Sequence, residues 1–271
     1  MQNDWLDILT ECKENVQKQI APLLKTVKNL QPNLGIGAGG DPIKQVDLAA
    51  ENAIAEVLGT HLRNFTLISE ESGFKKIGEK PDECYVTTDP IDGTTNVFRG
   101  IPFYATSIAV SLRPSLKTVH SALVADLFHD ITYTAQKGKG AWRNGKPAIS
   151  SANTSLNEGV IGLDLNSYRI KQLAPRLNSL IEQTKHIRHF GANALELCYV
   201  ADGTTDAFID IRGKLRTTDM AAAWLILNEA GGKITSSDGE PLDVDLDPKQ
   251  NVEFVAAANS GMHEAILNLI G

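Results

Sequence analysis

Thr88-Asp89-Pro90-Ile91-Asp92-Gly93-Thr94-Thr95-Asn96 is the stretch on which the reading of this chain turns. It follows a β-rich run, Tyr85–Thr88, and Pro90 and Gly93 are residues that turn a backbone. The sequence therefore predicts a tight turn that points two carboxylates, Asp89 and Asp92, into one space. Clustered hard oxygens of this kind suit Mg²⁺, and the Ile91 carbonyl can add a further donor. Gly93 lets backbone N–H groups come close to a phosphate. Taken alone, the stretch reads equally well as a surface turn with aspartates as turn formers.

Three further carboxylate positions shift that balance. Ser69-Glu70-Glu71-Ser72-Gly73 follows the apolar run Phe65–Ile68, so paired glutamates sit at a strand end. Asp47 falls in the first turn of a helix read from Val46 to Leu58, and Asp219 opens another. By itself each has a plain reading, a solvated turn for the glutamates and dipole complementation for the aspartates.

Periodicity supplies the frame. Trp5, Leu9, Cys12, Val16, Ile20, Leu23 and Val27 recur in steps of three and four, the mark of one helix face, with Pro22 expected to kink or split it. A glycine-rich loop, Leu34–Asp41, separates this helix from the next, whose inward face is Ala50, Ala53, Ile54 and Val57. Short strand-like runs follow at Ala105–Leu112, His120–Leu127 and Ile131–Ala135, while Gly138–Gly145 reads as a turn. After Ser150 strands and helices alternate: Val160–Leu165, Ile170–Thr184, Ala194–Ala201, Asp206–Ile211, Asp219–Ala230, Phe254–Ala258 and His263–Ile270. The pattern predicts an α+β chain of stacked helix and sheet layers in two tightly joined lobes, residues 1–150 and 151–271.

Composition narrows the function classes. A 271-residue chain with net charge −7 lacks the basic footprint of a nucleic-acid binder, and needs a local cation to attract a phosphate. Three widely spaced cysteines, Cys12, Cys84 and Cys198, give no disulfide framework and no zinc pattern. The polar start and the lack of a long apolar run point to a cytoplasmic protein. Gly35-Ile36-Gly37-Ala38-Gly39-Gly40 has dinucleotide-loop spacing, but a helix precedes it and Asp41-Pro42 follows, so the context is wrong. His186 and His189 read as polar strand residues rather than zinc ligands.

Glu70-Glu71-Ser72-Gly73, Asp89-Pro90-Ile91-Asp92-Gly93-Thr94-Thr95-Asn96, Asp219-Met220-Ala221-Ala222 and Glu229-Ala230-Gly231-Gly232 together resemble the inositol monophosphatase family. Lys137–Gly145 and Val255–Asn259 extend the resemblance through nearly the whole chain. Gly35–Asp41, Phe190–Cys198 and Asp210-Ile211-Arg212 are most similar to the archaeal branch, which combines inositol-1-phosphatase and fructose-1,6-bisphosphatase activity. Thr88, Thr218, Asp210 and the order Val97-Phe98 depart from the commonest pattern.

The resemblance implies the sugar-phosphatase fold, with alternating α-β-α-β-α layers. The first lobe would carry most metal ligands, and the second the substrate-binding residues and Asp219. It implies a phosphoric monoester hydrolase using two Mg²⁺ ions, with room for a third. Glu70, Asp89 and the Ile91 carbonyl would hold one ion, and Asp89, Asp92 and Asp219 a second. Asp47, Thr94 and Glu71 form the implied catalytic set, in which a metal-activated water attacks directly. No aspartyl phosphate is needed, since Asp89 and Asp92 are three apart rather than two. Substrate would touch Asp92, Gly93, Thr94, Arg188, Asn193, Asp210 and Arg212, with Arg188 and Arg212 reserved for a second phosphate. The substrate is a small sugar or cyclitol phosphate, the assembly a homodimer or homotetramer. A 3′-phosphoadenosine nucleotide or NADP phosphatase, and a non-catalytic binding protein on the same fold, are the rival readings.

Overall fold

A computed structural model describes residues 4–25, 34–166 and 170–270. Helices α1 (Trp5–Leu24) and α2 (Gln45–His61) lead into an eight-stranded sheet. Its strands are β1 (Phe65–Ser69), β2 (Gly73–Ile77), β3 (Tyr85–Asp92), β4 (Ala105–Ser111), β5 (Val119–Asp126), β6 (Ile131–Gln136), β7 (Gly140–Arg143) and β8 (Lys146–Pro147). A short helix, α3 (Thr94–Arg99), leaves the end of β3. The strand order is β2-β1-β3-β4-β5-β6-β7-β8, antiparallel except for the β1–β3 pair. The rest of the chain holds β9 (Val160–Leu163), α4 (Ile170–Gln183), β10 (His186–Arg188), α5 (Asn193–Ala201), β11 (Ala207–Arg216), α6 (Thr217–Glu229), β12 (Lys233–Thr235), β13 (Asn251–Ala257) and α7 (Ser260–Ile270). Its five strands order as β10-β9-β11-β13-β12.

Period-two alternation sorts the apolar side chains into layers. Along β5, Leu123 and Ala125 pack with Leu9, Val16 and Ile54 of α1 and α2, while Ala122 and Val124 join Leu195, Ala222 and Ile226 of α5 and α6. Along β11, Phe208 faces that same central layer, whereas Ala207, Ile209 and Ile211 meet Leu177 of α4 and Ile266 of α7. The result is the α-β-α-β-α stack. Because helices cover both faces of β3, β4 and β5, these strands are buried almost end to end, their polar positions such as Thr87, Thr88, Thr106 and Ser107 included.

Several local expectations change. α1 runs unbroken to Leu24, because Pro22 sits in its last turn, where little helix remains to disrupt; Val27 lies outside the described residues. Gly138–Gly145 is not one turn: β7 pairs with β6 inside it, flanked by Gly138, Asn144 and Gly145 at positive φ. His189 lies beyond the end of β10 rather than in the strand. Among the described residues no helix is long and apolar enough to cross a membrane.

Candidate active site

Asp89 and Asp92 are brought together by a bulge, not by the tight turn the sequence suggested. On a regular strand, residues three apart face opposite sides. Asp89 pairs with Ser107 and Asp92 with Ala105, so Pro90 and Ile91 oppose Thr106 alone. One extra residue restores both carboxylates to the same side, and Pro90, which has no N–H, fits where the ladder is interrupted. The chain reverses at Gly93, whose φ is 87°. A Cβ there would lie 3.0 Å from Ala192 Cβ and 3.1 Å from the Phe103 carbonyl oxygen. Glycine is required both for conformation and for space.

Three segments deliver one acidic cluster. Glu70 comes from the β1–β2 turn, Asp89 from β3, and Asp219 from the first turn of α6, where it caps the Arg216 N–H. One carboxylate oxygen from each lies within 4.8 Å of the others. Glu71 is next to Glu70, and its Oε2 is buried with no hydrogen-bond partner among the described residues. Burial, and then repulsion from Asp219, push the Glu70 carboxyl up, with Arg216 opposing. Burial and Glu70 do the same to Asp89. Glu71 is pushed to about 7, by burial and then by Asp47. Carboxylates crowded at this cost have the chemistry to hold a cation: hard oxygens suit Mg²⁺, and a metal charge would reverse each shift.

Asp92 behaves differently. Its Oδ1 accepts from the Asn193 N–H at 3.0 Å and its Oδ2 from the Ala194 N–H at 2.8 Å, so it caps α5 across the layer boundary. It still lines the cavity together with Glu70, Asp89 and Asp219. Thr94, the first residue of α3, has its hydroxyl 3.1 Å from Asp47 Oδ1 and 2.9 Å from the Ile91 carbonyl oxygen. The hydroxyl has one hydrogen, so these two acceptors compete for it. Burial pushes Asp47 up to about 7, against the pull of the Thr94 hydrogen bond.

A cavity of about 730 Å³ joins these groups to a polar far arm of Asp164, Asn166, His189, Asn193, Arg212 and Lys214. Arg212 Nη2 lies 2.5 Å from Asp164 Oδ2 and 2.6 Å from Asp210 Oδ2. Its charge is balanced twice before any ligand arrives. Asp210 does not reach the cavity: two residues before Arg212 on one face of β11, it is fully buried beneath that guanidinium. Arg188 is also not brought to the site. It lies on the edge strand β10 and turns its Nη1 to the Ile187 carbonyl at 2.8 Å.

Sequence reasoning missed Asp164 and His189 in the cavity wall, and the central position of Arg216. It also missed Glu51, fully buried on α2, which binds Lys75 Nζ at 2.5 Å and the Ser69 hydroxyl, fastening the glutamate turn to α2. The place of Glu51 four residues after Asp47, on the helix face that carries Ala50 and Ile54, was the available signal.

Comparison with known proteins agrees with this architecture. The sequence profile of the inositol monophosphatase family matches residues 5–270. Over 274 residues the chain is 36% identical to the fructose-1,6-bisphosphatase/inositol-1-monophosphatase of Methanothermobacter thermautotrophicus, covering 98% of this chain and 96% of that protein. It is 34% identical over 288 residues to the bifunctional NADP phosphatase/NAD kinase of Methanococcus maripaludis, covering 99% of this chain and 49% of that one. The crystal structure of an inositol monophosphatase–fructose 1,6-bisphosphatase matches with a TM-score of 0.86 at 32% identity, over 98% of this chain and 100% of the other. Since profile, relatives and fold each span almost the whole chain, the chain belongs to the inositol monophosphatase family.

Proposed function

We propose that this protein hydrolyses phosphate monoesters of small polyols and sugars in a Mg²⁺-dependent reaction, with inositol-1-phosphate and fructose-1,6-bisphosphate as its substrate class. The observation that carries the reading is the convergence of Glu70, Asp89 and Asp219 within 4.8 Å, beside a Thr94–Asp47 pair at 3.1 Å. Glu70, Asp89 and the Ile91 carbonyl would hold one ion, and Asp89, Asp92 and Asp219 another, with Glu71 open to a third. When bound, Mg²⁺ supplies the positive charge that admits a phosphate dianion and makes water a better nucleophile.

The chain's own groups do the rest. Thr94 Oγ1 orients the attacking water and relays a proton from it to Asp47, the carboxylate that its hydroxyl meets at 3.1 Å. Gly93 offers bare backbone to the phosphate. The alcohol portion lies along the far arm, where Asp164, Asn193 and Arg212 can hydrogen-bond its hydroxyls. The side chains named there all hydrogen-bond, which suits a polyol better than a flat apolar ring.

The test is phosphate release from inositol-1-phosphate, fructose-1,6-bisphosphate and NADP, each with Mg²⁺ and with excess EDTA. Mg²⁺-dependent turnover of either of the first two supports the proposal. Turnover of NADP alone would transfer it to the activity named for the Methanococcus maripaludis relative. Silence on all three would favour a binding protein.

A further inference from the structure

Arg216 stands where the acidic cluster most needs a cation. It is the last residue of β11 and immediately precedes α6. Its Nη2 donates to Glu70 Oε1 at 2.7 Å and its Nε to Asp219 Oδ2 at 3.2 Å, so one guanidinium already holds two of the three clustered carboxylates. Nη1 reaches the other way, to Asp41 Oδ2 at 2.8 Å and the Gly39 carbonyl oxygen at 3.5 Å.

Gly39 and Asp41 belong to the glycine-rich segment before α2, and that segment lies directly on the glutamate turn. The Ala38 N–H donates to the Glu71 carbonyl at 2.9 Å and the Gly39 N–H to the Glu70 carbonyl at 2.8 Å. A Cβ on Gly39 would lie 2.5 Å from Arg216 Nη1 and 3.1 Å from Glu70 Cγ, so only glycine permits this approach. A planar fork of five donors can serve three carboxylates at once; an ammonium cannot match that geometry.

We propose that Arg216 is the protein's own counter-cation, a positioning residue that competes with the metal for Glu70 and Asp219 and pins the Gly39–Asp41 segment over the cluster. The proposal rests on reading that cluster as the metal site. Guanidinium stays charged at any working pH, so it cannot leave by deprotonation. A divalent ion entering the cluster meets a like charge bonded to its own ligands, and both carboxylates must exchange one cation for the other. Metal affinity is thereby held below what three bare carboxylates would give.

The experiment is isothermal titration of Mg²⁺ into EDTA-stripped, desalted full-length protein, for wild type, Arg216→Gln and Arg216→Lys. Amide hydrogen exchange of residues 35–41 is measured in the metal-free proteins, with Asp41→Asn added. The glutamine variant should bind Mg²⁺ about tenfold more tightly than wild type, and the lysine variant should move the same way by less. Ala38 and Gly39 should exchange faster in all three variants. Unchanged or weaker Mg²⁺ binding by the glutamine variant, beside a wild type that binds, overturns the proposal and makes Arg216 a support for the ligands. If the glutamine variant does not fold, the lysine variant decides by the same criterion. Absence of Mg²⁺ binding by wild type overturns the metal reading itself, and this inference with it.

Discussion

Replacing Asp47 by Asn should make the metal-free protein more stable while abolishing turnover. Asp47 is buried, and its carboxyl is pushed from an ordinary 3.8 to about 7, chiefly by burial. A folded-state value above the unfolded one means that the contribution to stability is complete below the unfolded value. It is lost as pH rises through the folded one. Each pH unit between the two is worth about 1.4 kcal/mol. At pH 8 the wild type therefore carries a penalty of about 4 kcal/mol from this one group, which an uncharged amide lacks. Losing the Thr94 hydrogen bond takes back about 1 kcal/mol. The gain should grow by about 2 kcal/mol between pH 5.5 and pH 8, or roughly 3–4 °C in Tm for a chain of this size. Thermal unfolding followed by circular dichroism in EDTA at the two pH values measures it. A variant that is less stable than wild type at pH 8, or whose advantage does not change with pH, refutes the reasoning.

Other consequences follow from the same network. With Glu70 and Asp89 pushed up by burial and mutual repulsion, metal-free protein should lose stability as pH rises from the carboxylate range toward 8. Mg²⁺ should then raise Tm more at pH 8 than at pH 5.5, where protons compete for the same oxygens; scanning fluorimetry with Mg²⁺ or EDTA reads this directly. On the acid side, burial, and then Lys233, lower His263 to about 4, and its Nε2 meets the Thr235 hydroxyl at 2.8 Å. Being depressed, it should cost the fold on the order of 3 kcal/mol as pH falls from about 6.5 through 4, and His263→Gln should flatten that limb of the Tm profile. In the far arm, Asp164→Asn removes one of the two carboxylates that balance Arg212. It should raise kcat/KM for fructose-1,6-bisphosphate relative to inositol-1-phosphate several-fold, measured with both substrates on one preparation.

The layered fold was legible because buried strands such as β4 and β5 are built mainly on Ala, Val, Ile and Leu, and helices such as α2 carry a clear inward face. Short strands at sheet edges were not: Gly73–Ile77 exposes three of its residues and reads as polar loop. The carboxylates of the site could be named because each falls in a short segment with its own turn or cap residues. How they meet could not. The bulge at Pro90-Ile91 depends on the register against β4, which no local pattern encodes. Arg216 lies only four residues after Arg212, yet its partner Asp41 is 175 positions away. Edge-strand placement removes Arg188 from the cavity, and strand alternation puts Asp210 beneath Arg212. Such pairings are set by the sheet, not by spacing along the chain.

The most direct test of the central claim is the rate of phosphate release from inositol-1-phosphate at saturating Mg²⁺ by wild type and by Asp89→Asn. Asp89 is the carboxylate assigned to both proposed ions, so the account predicts Mg²⁺-dependent release by wild type and a loss of at least a hundredfold in the variant, roughly 3 kcal/mol of transition-state stabilisation. Equal rates in the two folded proteins, or release by wild type that persists in EDTA, would contradict it.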